Sequence, residues 1–413
     1  MKLLHTSDWH LGARLGRHDR GTDHDVALRG LFDLAEAERP DLILHTGDLF
    51  DASQPPYLAL DRGIRALRRL AAVAPTIVLC GNHDSAPLFR VIDRLAADVT
   101  PRRLWFLTSP QTVCFAEIRS DPVAVACVPF IKPSAINDYA SDDPSQFEGN
   151  YADGVRMVND RLLTDAESQV GKKGIVLYAA HLHVHGARPG KSERRVTVGE
   201  DYATHVEGLQ RAVYCAFGHI HDSQALPGGT APGRYAGSLI PIDFGEAEQT
   251  KQATLVTIDR DVQVESRTLP SGRPLTPFVG TLEEFEERAA AGGFDGCILK
   301  ARVGSEDPIP DLAERLLEAS PACTVFEIVN AVENQHIKPV QSSEDGGTEP
   351  TLEQLFAEWL STARHAAPYE TVTALFGEAL GGLGQESVPE FGLTELLSRA
   401  DRTLRTLEQS QAE

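Results

Sequence analysis

Seven side chains of the types that bind divalent cations lie at or just beyond the ends of apolar runs in the chain. They are Asp8, His10, Asp48, Asn82, His181, His219 and His221. This mixture of imidazoles, carboxylates and an amide suits Mn²⁺, Fe or Zn²⁺ better than the all-oxygen cages of Ca²⁺ and Mg²⁺. Because seven donors are too many for one ion, the set predicts two ions that share one carboxylate. Asp48 is the best candidate for the shared ligand, because it ends a central apolar run and follows Gly47, which permits a tight turn.

Two such cations would support the hydrolysis of a phosphate ester. Held about 3.5–4 Å apart, they clamp the phosphate, lower the pKa of a shared water and steady the attacking and leaving oxygens. His83 follows the candidate ligand Asn82, and we expect it to donate a proton to the leaving oxygen or to hold charge on it. Asp84 could orient that imidazole. The sequence therefore predicts His83 and Asp84 as catalytic residues beside a dimetal centre.

Buried strands are the elements that must position these residues. The apolar runs that lead into the ligand groups are nearly continuous, as in strands that are buried on both faces. The carboxyl ends of such strands are where ligands gather in open sheets. Because side chains alternate along a strand, Asp8 and His10 should point to the same side.

The order of the elements predicts an α/β fold with two sheets. Strands and helices alternate as far as residue 97, which predicts right-handed crossovers and a largely parallel sheet. The short apolar runs 105–107, 112–115 and 123–127 predict antiparallel strands of a second sheet. We therefore expect two packed sheets with helices outside them.

Other histidines have different expected roles. His183 and His185 alternate with His181, so either could replace it as a ligand. The histidines that lie inside predicted strands, His5 and His45, are expected to be hydrogen-bonded core groups. His18 and His24 lie in a predicted polar loop and are expected to face solvent.

The segment that follows the His181 strand is the most basic loop of the chain. Its stretch 186–192 resembles a phosphate-binding P-loop, but it is one residue short and holds a proline where backbone donors are needed, so we reject that interpretation. Its cationic side chains could contact a nucleic-acid backbone, and an ordinary basic surface loop is an equally good interpretation. These candidate DNA contacts are Arg188, Lys191, Arg194 and Arg195.

Composition limits the class of protein. The 413 residues carry a formal net charge of -21, whereas proteins that bind nucleic acid unaided are usually basic. A nuclease of this charge would need its cations and a partner to supply the positive potential. The six cysteines contain no C-x-x-C pair and predict free thiols in a reducing compartment. With neither an apolar leader nor a stretch of membrane-spanning length, we expect no membrane association and a cytoplasmic location.

The chain divides into four predicted parts. Residues 1–272 form the catalytic domain, and residues 273–340 form a small α+β capping domain. Residues 341–350 are rich in Ser, Gly and Glu and predict a linker. Residues 351–413 show apolar positions at helical spacing. These tail helices either cover the catalytic domain or offer an apolar face to the helices of another protein.

The order of the motifs D-x-H, G-D, G-N-H-D, H and G-H-x-H resembles the calcineurin-like metallophosphoesterase family. Three stretches resemble one branch of it, the bacterial Mre-type repair nucleases: Thr6–Gly12, Gly47–Asp51, and Tyr235–Ser238 followed by Pro241. The likeness is strong to about residue 244 and rests on layout after that. It implies a four-layer α/β/β/α sandwich that carries the capping domain and the helical tail.

The resemblance also implies a division of the donors and an activity. One cation would be held by Asp8, His10, Asp48 and His221, and the other by Asp48, Asn82, His181 and His219. The branch uses Mn²⁺, cuts DNA ends exonucleolytically and single strands or hairpins endonucleolytically, and serves DNA repair and recombination. It works as a dimer within a heterotetramer with an SMC-like ATPase, whose coiled coil the tail helices would grip. The alternative is a stand-alone phosphodiesterase or phosphatase of the same fold that acts on a small substrate, for which the long C-terminal half would be superfluous.

Overall fold

The structure is a computed structural model, and it describes residues 1–119, 121–140, 149–190, 203–228, 232–332 and residue 356. Met1–Gln335 form one compact unit, and His336–Glu413 form a second. The predicted linker and helical tail lie outside the described residues except for Phe356, which is helical. Among the described helices, none combines the length and the apolar character needed to cross a membrane.

The first sheet has six strands among the described residues. Their spatial order is Val262–Thr268, Gln252–Ile258, Lys2–Thr6, Leu42–His45, Thr76–Leu79 and Leu104–Leu107. The last four run parallel, as predicted from the alternation of strands and helices. One prediction was wrong: the run at 105–107 pairs in parallel with the strand Thr76–Leu79, so it extends the first sheet and does not belong to the second.

The second sheet also has six strands in the part of the chain that the structure describes. Their order is Gln224–Ala225, Gly233–Tyr235, Tyr214–Gly218, Ile175–His181, Asp121–Val128 and Gln111–Ile118. The last two form the predicted antiparallel pair. Two small ladders complete this part of the chain. They pair Arg14–Leu15 with His18–Asp19, and His183–Val184 with Ala203–Thr204.

The two sheets pack face to face between layers of helix. Alternate residues of one strand show this: Leu4 packs with the helices on the outer side, whereas Leu3 packs with Leu177 of the second sheet. The helices Gly21–Glu38, Tyr57–Val73 and Ala86–Ala97 cover the first sheet, and Tyr151–Val170, preceded by the short helix Ile136–Ala140, covers the second. The predicted four-layer α/β/β/α sandwich is therefore confirmed, with the carboxyl ends of its central strands meeting at one edge.

His24 corrects an expectation about the polar loop. The first helix begins at Gly21, so His24 lies on it and is fully buried. Its Nε2 lies 2.8 Å from the carbonyl oxygen of Trp9, and its Nδ1 lies 3.0 Å from that of Arg20. The prediction that this residue faces solvent was wrong, because a helix face that packs on the sheet decides its burial.

Residues 275–332 build a small α+β layer. It consists of the strands Leu275–Gly280, Ile298–Ser305 and Thr324–Val332 and the helices Leu282–Ala290 and Leu312–Ala319. The strands are parallel, and Phe285 and Leu316 of the helices are buried against them. The sequence prediction missed the first strand, because it holds Pro277. This strand lies at the edge of the sheet, where a missing N–H is tolerated.

Candidate metal and catalytic centre

The seven candidate ligands come together at the edge where the central strands end. The donor atoms of Asp8, His10 and His221 lie within 4.8 Å of one another, and so do those of Asp48, His181 and His219. The amide oxygen of Asn82 completes the second group, 2.8 Å from His181 Nε2 and 2.8 Å from His219 Nδ1.

Asp48 lies between the two groups. Its Oδ2 is 3.7 Å from His10 Nε2 and 3.5 Å from His181 Nε2. All of these side chains except that of Asn82 are buried. The arrangement suits two cations that share one carboxylate, which is how the donors were divided above.

The backbone reaches this arrangement by a route that the alternation of side chains did not predict. The strand ends at Thr6, before Asp8 and His10, and both of these residues adopt left-handed backbone angles with φ of 50° and 47°. Asp48 and His219 do the same, with φ of 51° and 101°. Such angles cost non-glycine residues of order 1–3 kcal/mol and cluster at functional sites. The donors therefore converge because left-handed turns redirect their side chains, and not because the residues share one face of a strand.

Two glycines make room for the donors. A Cβ on Gly47 would lie 2.2 Å from His181 Nδ1, and one on Gly81 would lie 2.1 Å from Asp48 Oδ1. Gly47 also has φ of +106°, which fits the expected tight turn before Asp48. Only glycine permits the backbone to approach the donor side chains this closely.

Hydrogen bonds to the chain orient three of the rings. His10 Nδ1 lies 3.2 Å from the Asp51 carboxylate. His181 Nδ1 lies 2.7 Å from the carbonyl oxygen of Thr46, and His221 Nδ1 lies 2.9 Å from the Glu246 carboxylate. An Nδ1–H that donates to such an acceptor leaves the lone pair of these three rings on Nε2, where it can bind a cation.

The inward-facing nitrogens fit divalent cations. His10 Nε2 and His221 Nε2 are only 3.0 Å apart. Two lone pairs at this distance repel each other unless a proton or a cation lies between or beside them. With two carboxylates close by, this donor set has the composition and the orientation of a dimetal centre.

Electrostatic interactions within the centre are strong. Burial alone would lower the pKa of His10, but its hydrogen bond to Asp51 and the charges of Asp48 and Asp8 raise it to about 9. The charge of Asp48 and its hydrogen bond to His181 likewise raise the pKa of His181 to about 9, against the effect of burial. These histidines in turn hold the pKa of Asp48 well below its ordinary value, although burial acts to raise it. Protons on the rings therefore balance the buried carboxylates, and divalent cations that bind would displace those protons.

His83 lies beside the centre. Its backbone N–H donates to Asp48 Oδ1 at 2.8 Å, and its ring packs edge-on against that of His10 at 4.8 Å between centroids. Its Nδ1 lies 2.7 Å from the carbonyl oxygen of Asp51. Because Nδ1–H donates to the chain, Nε2 is the atom that would carry a proton exchanged with a substrate.

Asp84 lies in a different environment from the one expected. Its carboxylate accepts hydrogen bonds from the backbone N–H groups of Leu49, Phe50 and Gly81, at 3.2, 2.9 and 2.9 Å. It therefore joins the turn after Asp48 to the turn before Asn82. We assign it the role of holding these two ligand-bearing turns together, in place of orienting the His83 imidazole.

The alternative ligands and the basic segment lie further out. The His183 ring is 6.5 Å from that of His219 and belongs to none of the donor groups among the described residues, and the exposed His185 lies beside His205. Arg188 is exposed, and its backbone pairs with the side chain of Gln224. The other candidate DNA contacts, Lys191, Arg194 and Arg195, lie outside the described residues.

Three groups that orient the rings were missed by sequence reasoning. They are the side chains of Asp51 and Glu246 and the carbonyl oxygen of Thr46. Asp51 could have been found from its place in the stretch Gly47–Asp51. Nothing in the local sequence marks Glu246, and a backbone carbonyl leaves no sequence signal. The expected core role of His5 is confirmed, with ring nitrogens 3.1 Å from the Tyr214 hydroxyl and 3.0 Å from that of Thr46.

Comparison with known proteins gives a consistent result. Residues 1–223 match the calcineurin-like phosphoesterase family. The SbcD subunit of the nuclease SbcCD from Escherichia coli K12 is 30% identical over 307 residues, which cover 68% of this chain and 72% of that protein. The corresponding SbcD subunit from Bacillus subtilis 168 is 28% identical over 286 residues, which cover 67% of this chain and 71% of that protein.

Among solved structures, a dimetal phosphatase from Danio rerio is similar with a TM-score of 0.40 and 14% identity, over 65% of this chain and 96% of that one. That likeness is too distant to bear on function. The family match spans more than half of the chain, and every candidate donor of the centre lies within the matched residues. The chain therefore belongs to the calcineurin-like phosphoesterase family and, within it, to the group of the SbcD subunits, and it is a metal-dependent phosphodiesterase.

Proposed function

We propose that this protein is a Mn²⁺-dependent DNA nuclease that hydrolyses phosphodiester bonds at DNA ends and in single strands or hairpins. The observation that carries the proposal is the pair of donor groups that share Asp48, with His83 beside them. The relatives named as nuclease subunits support a nucleic acid as the substrate class.

Each part of the centre has a distinct role in the proposed mechanism. Asp8, His10 and His221 would hold one cation, Asn82, His181 and His219 the other, and Asp48 both. Bound divalent cations supply charge that stabilises the phosphate and lowers the pKa of a water. His83 Nε2 would deliver a proton to the leaving oxygen, or hold charge there, while its Nδ1–H donates to the carbonyl of Asp51.

A partner would complete the DNA-binding surface. A net charge of -21 disfavours tight unaided binding to a polyanion. We infer that an SMC-like ATPase of the SbcC type supplies this affinity and binds the segment 351–413. The relatives are named as subunits of the SbcCD complex, which supports a partner of this kind. We place this activity in the cytoplasm and in DNA repair and recombination, and the six free cysteines are consistent with a reducing compartment.

We further infer that two copies of the chain associate. The helix Ala86–Ala97 and the residues after it carry three apolar side chains at four-residue spacing, Val91, Leu95 and Val99, which are exposed by 52%, 68% and 60%. A second copy of this face would remove the stripe from water. Leu95→Glu should then convert a dimer to a monomer in light scattering while the far-ultraviolet circular dichroism stays unchanged. A variant that remains dimeric would exclude this face.

One experiment separates the nuclease from a same-fold enzyme for small substrates. The release of acid-soluble nucleotides from linear duplex DNA is measured with Mn²⁺, with and without the partner ATPase, and compared with hydrolysis of bis-p-nitrophenyl phosphate. We expect digestion of DNA that the ATPase stimulates. Hydrolysis of the small ester alone, with DNA left intact under both conditions, would reject the proposal in favour of a small-substrate phosphodiesterase.

A further inference from the structure

A buried ion pair lies directly behind His221. The Glu246 carboxylate accepts from His221 Nδ1 at 2.9 Å and from Lys251 Nζ at 2.7 Å, and it also accepts from the Ser238 hydroxyl and the Ile242 N–H. Glu246 and Lys251 are 0% and 3% exposed. Burying a carboxylate and an ammonium is costly unless both are paired, and here each is paired with the other at 2.7 Å.

The short turn that holds Glu246 also contacts the small α+β layer. Glu246 ends the 3₁₀ turn Phe244–Glu246. Two residues before it, the Phe244 ring packs on Phe326 of the strand Thr324–Val332, with centroids 5.1 Å apart. This contact belongs to an apolar cluster with Leu275 of the same layer. The same turn thus contacts the α+β layer through Phe244 and a candidate metal ligand through Glu246.

We propose that Glu246 is a positioning residue that fixes the His221 ring for its cation, and that the packing of Phe244 on Phe326 makes this position depend on the α+β layer. The proposal rests on the dimetal centre proposed above. Lys251 balances the charge of Glu246, so the carboxylate can accept the Nδ1–H of His221 without adding net charge behind the centre. When the layer is displaced, the turn moves and the His221 ring loses its orientation.

Two double variants isolate the hydrogen bond to His221. Glu246→Gln/Lys251→Met and Glu246→Leu/Lys251→Met both remove the ion pair, but only the first keeps an oxygen that accepts the Nδ1–H. Mn²⁺ binding is measured by titration calorimetry and by the electron paramagnetic resonance signal of free Mn²⁺, with circular dichroism as the check of folding. We expect the Leu/Met protein to bind one of two ions about 10- to 100-fold more weakly than the Gln/Met protein.

The outcomes of this comparison distinguish two failures. If the wild-type chain binds no Mn²⁺, the proposed metal centre itself is wrong. If the wild-type chain binds two ions and the two double variants bind them equally well, Glu246 has no positioning role and the dimetal centre stands. A purely structural role would lower thermal stability in both variants and would leave no difference between them in Mn²⁺ affinity.

The link to the α+β layer is tested at the far end of the contact. Phe326→Ala removes the ring on which Phe244 packs without changing any candidate ligand. Phe115→Ala is the matched control, since Phe115 packs on Trp105 at a similar distance, 5.3 Å, elsewhere in the sandwich. We expect Phe326→Ala to weaken Mn²⁺ binding at one site several-fold and Phe115→Ala to leave it unchanged. Equal Mn²⁺ affinity in both variants would overturn the link.

Discussion

Replacing Gly47 with alanine is the sharpest test of the centre's construction. The new Cβ would lie 2.2 Å from His181 Nδ1 and 2.6 Å from its Cγ. Ordinary contacts of a Cβ begin at 3.4 Å, so the ring must withdraw by about 1.2 Å or the turn must open. The carbonyl oxygen of Gly47 also accepts the N–H of Asp8 at 3.0 Å, so an opened turn would displace a second candidate ligand.

The size of the effect follows from these distances. A backbone φ of +106° costs a non-glycine residue of order 1–3 kcal/mol in stability. A displacement of about 1 Å at a catalytic centre costs on the order of 100-fold in rate. Losing the orientation of one ligand costs about 10- to 100-fold in metal affinity. We therefore expect Gly47→Ala to remain folded while it loses most of its Mn²⁺ affinity and phosphodiesterase activity.

Gly171→Ala is the matched control. Gly171 also has a left-handed φ, of +64°, but a Cβ there would meet nothing within 4 Å. It follows the helix Tyr151–Val170 on the exposed side of the second sheet. Its replacement should therefore lower the unfolding free energy by a similar amount and leave Mn²⁺ binding intact.

The assay compares Mn²⁺ titrations, hydrolysis of bis-p-nitrophenyl phosphate and urea unfolding for the two variants and the wild type. A Gly47→Ala protein that binds Mn²⁺ and turns over at wild-type levels would refute the reasoning. It would mean that the His181 ring can relax without cost and that its observed position is not required.

Four further outcomes are expected. His83→Gln should lower kcat by about 10²- to 10⁴-fold with Mn²⁺ affinity unchanged in calorimetry, because the ring would act on the leaving group; unchanged turnover would remove its assigned role. Asp84→Asn should lower the urea-unfolding free energy by about 1–3 kcal/mol, because at least one backbone N–H that donates to the carboxylate loses its acceptor; equal stability would contradict the joining role. Burial lowers the pKa of His5 in the folded chain from 6.5 to about 3. Below pH 6.5 the unfolded chain therefore binds a proton on His5 that the folded chain does not bind. The unfolding free energy should fall by up to about 1.4 kcal/mol for each pH unit as the pH decreases from about 6.5 towards 3. His5→Gln should reduce that slope in urea titrations, and an unchanged slope would contradict the assignment. Removing metal with a chelator should abolish activity and lower the melting temperature, because Mn²⁺ at 100 times its Kd would add about 2.7 kcal/mol for each ion; a chelator-treated chain with an unchanged melting curve would argue against bound cations.

The fold class could be predicted because its signals are local. Apolar runs buried on both faces, each followed by polar residues, indicate parallel strands whose ends meet at one edge. Placement of individual strands was less predictable. The run at 105–107 joined the first sheet, because pairing depends on neighbours that are distant in sequence, and the strand at 275–280 was missed because it holds Pro277.

The sequence by itself determined which donors exist and that two cations suit them, since donor chemistry is a property of residue types. Only the tertiary structure decided how they converge. Asp8, His10 and Asp48 meet through left-handed turns, and Asp84 joins the turn after Asp48 to the turn before Asn82, where an imidazole partner was expected. Glu246 was invisible as the partner of the His221 ring, because a hydrogen bond between elements depends on the relative position of two backbones, which the spacing of residues along the chain does not encode.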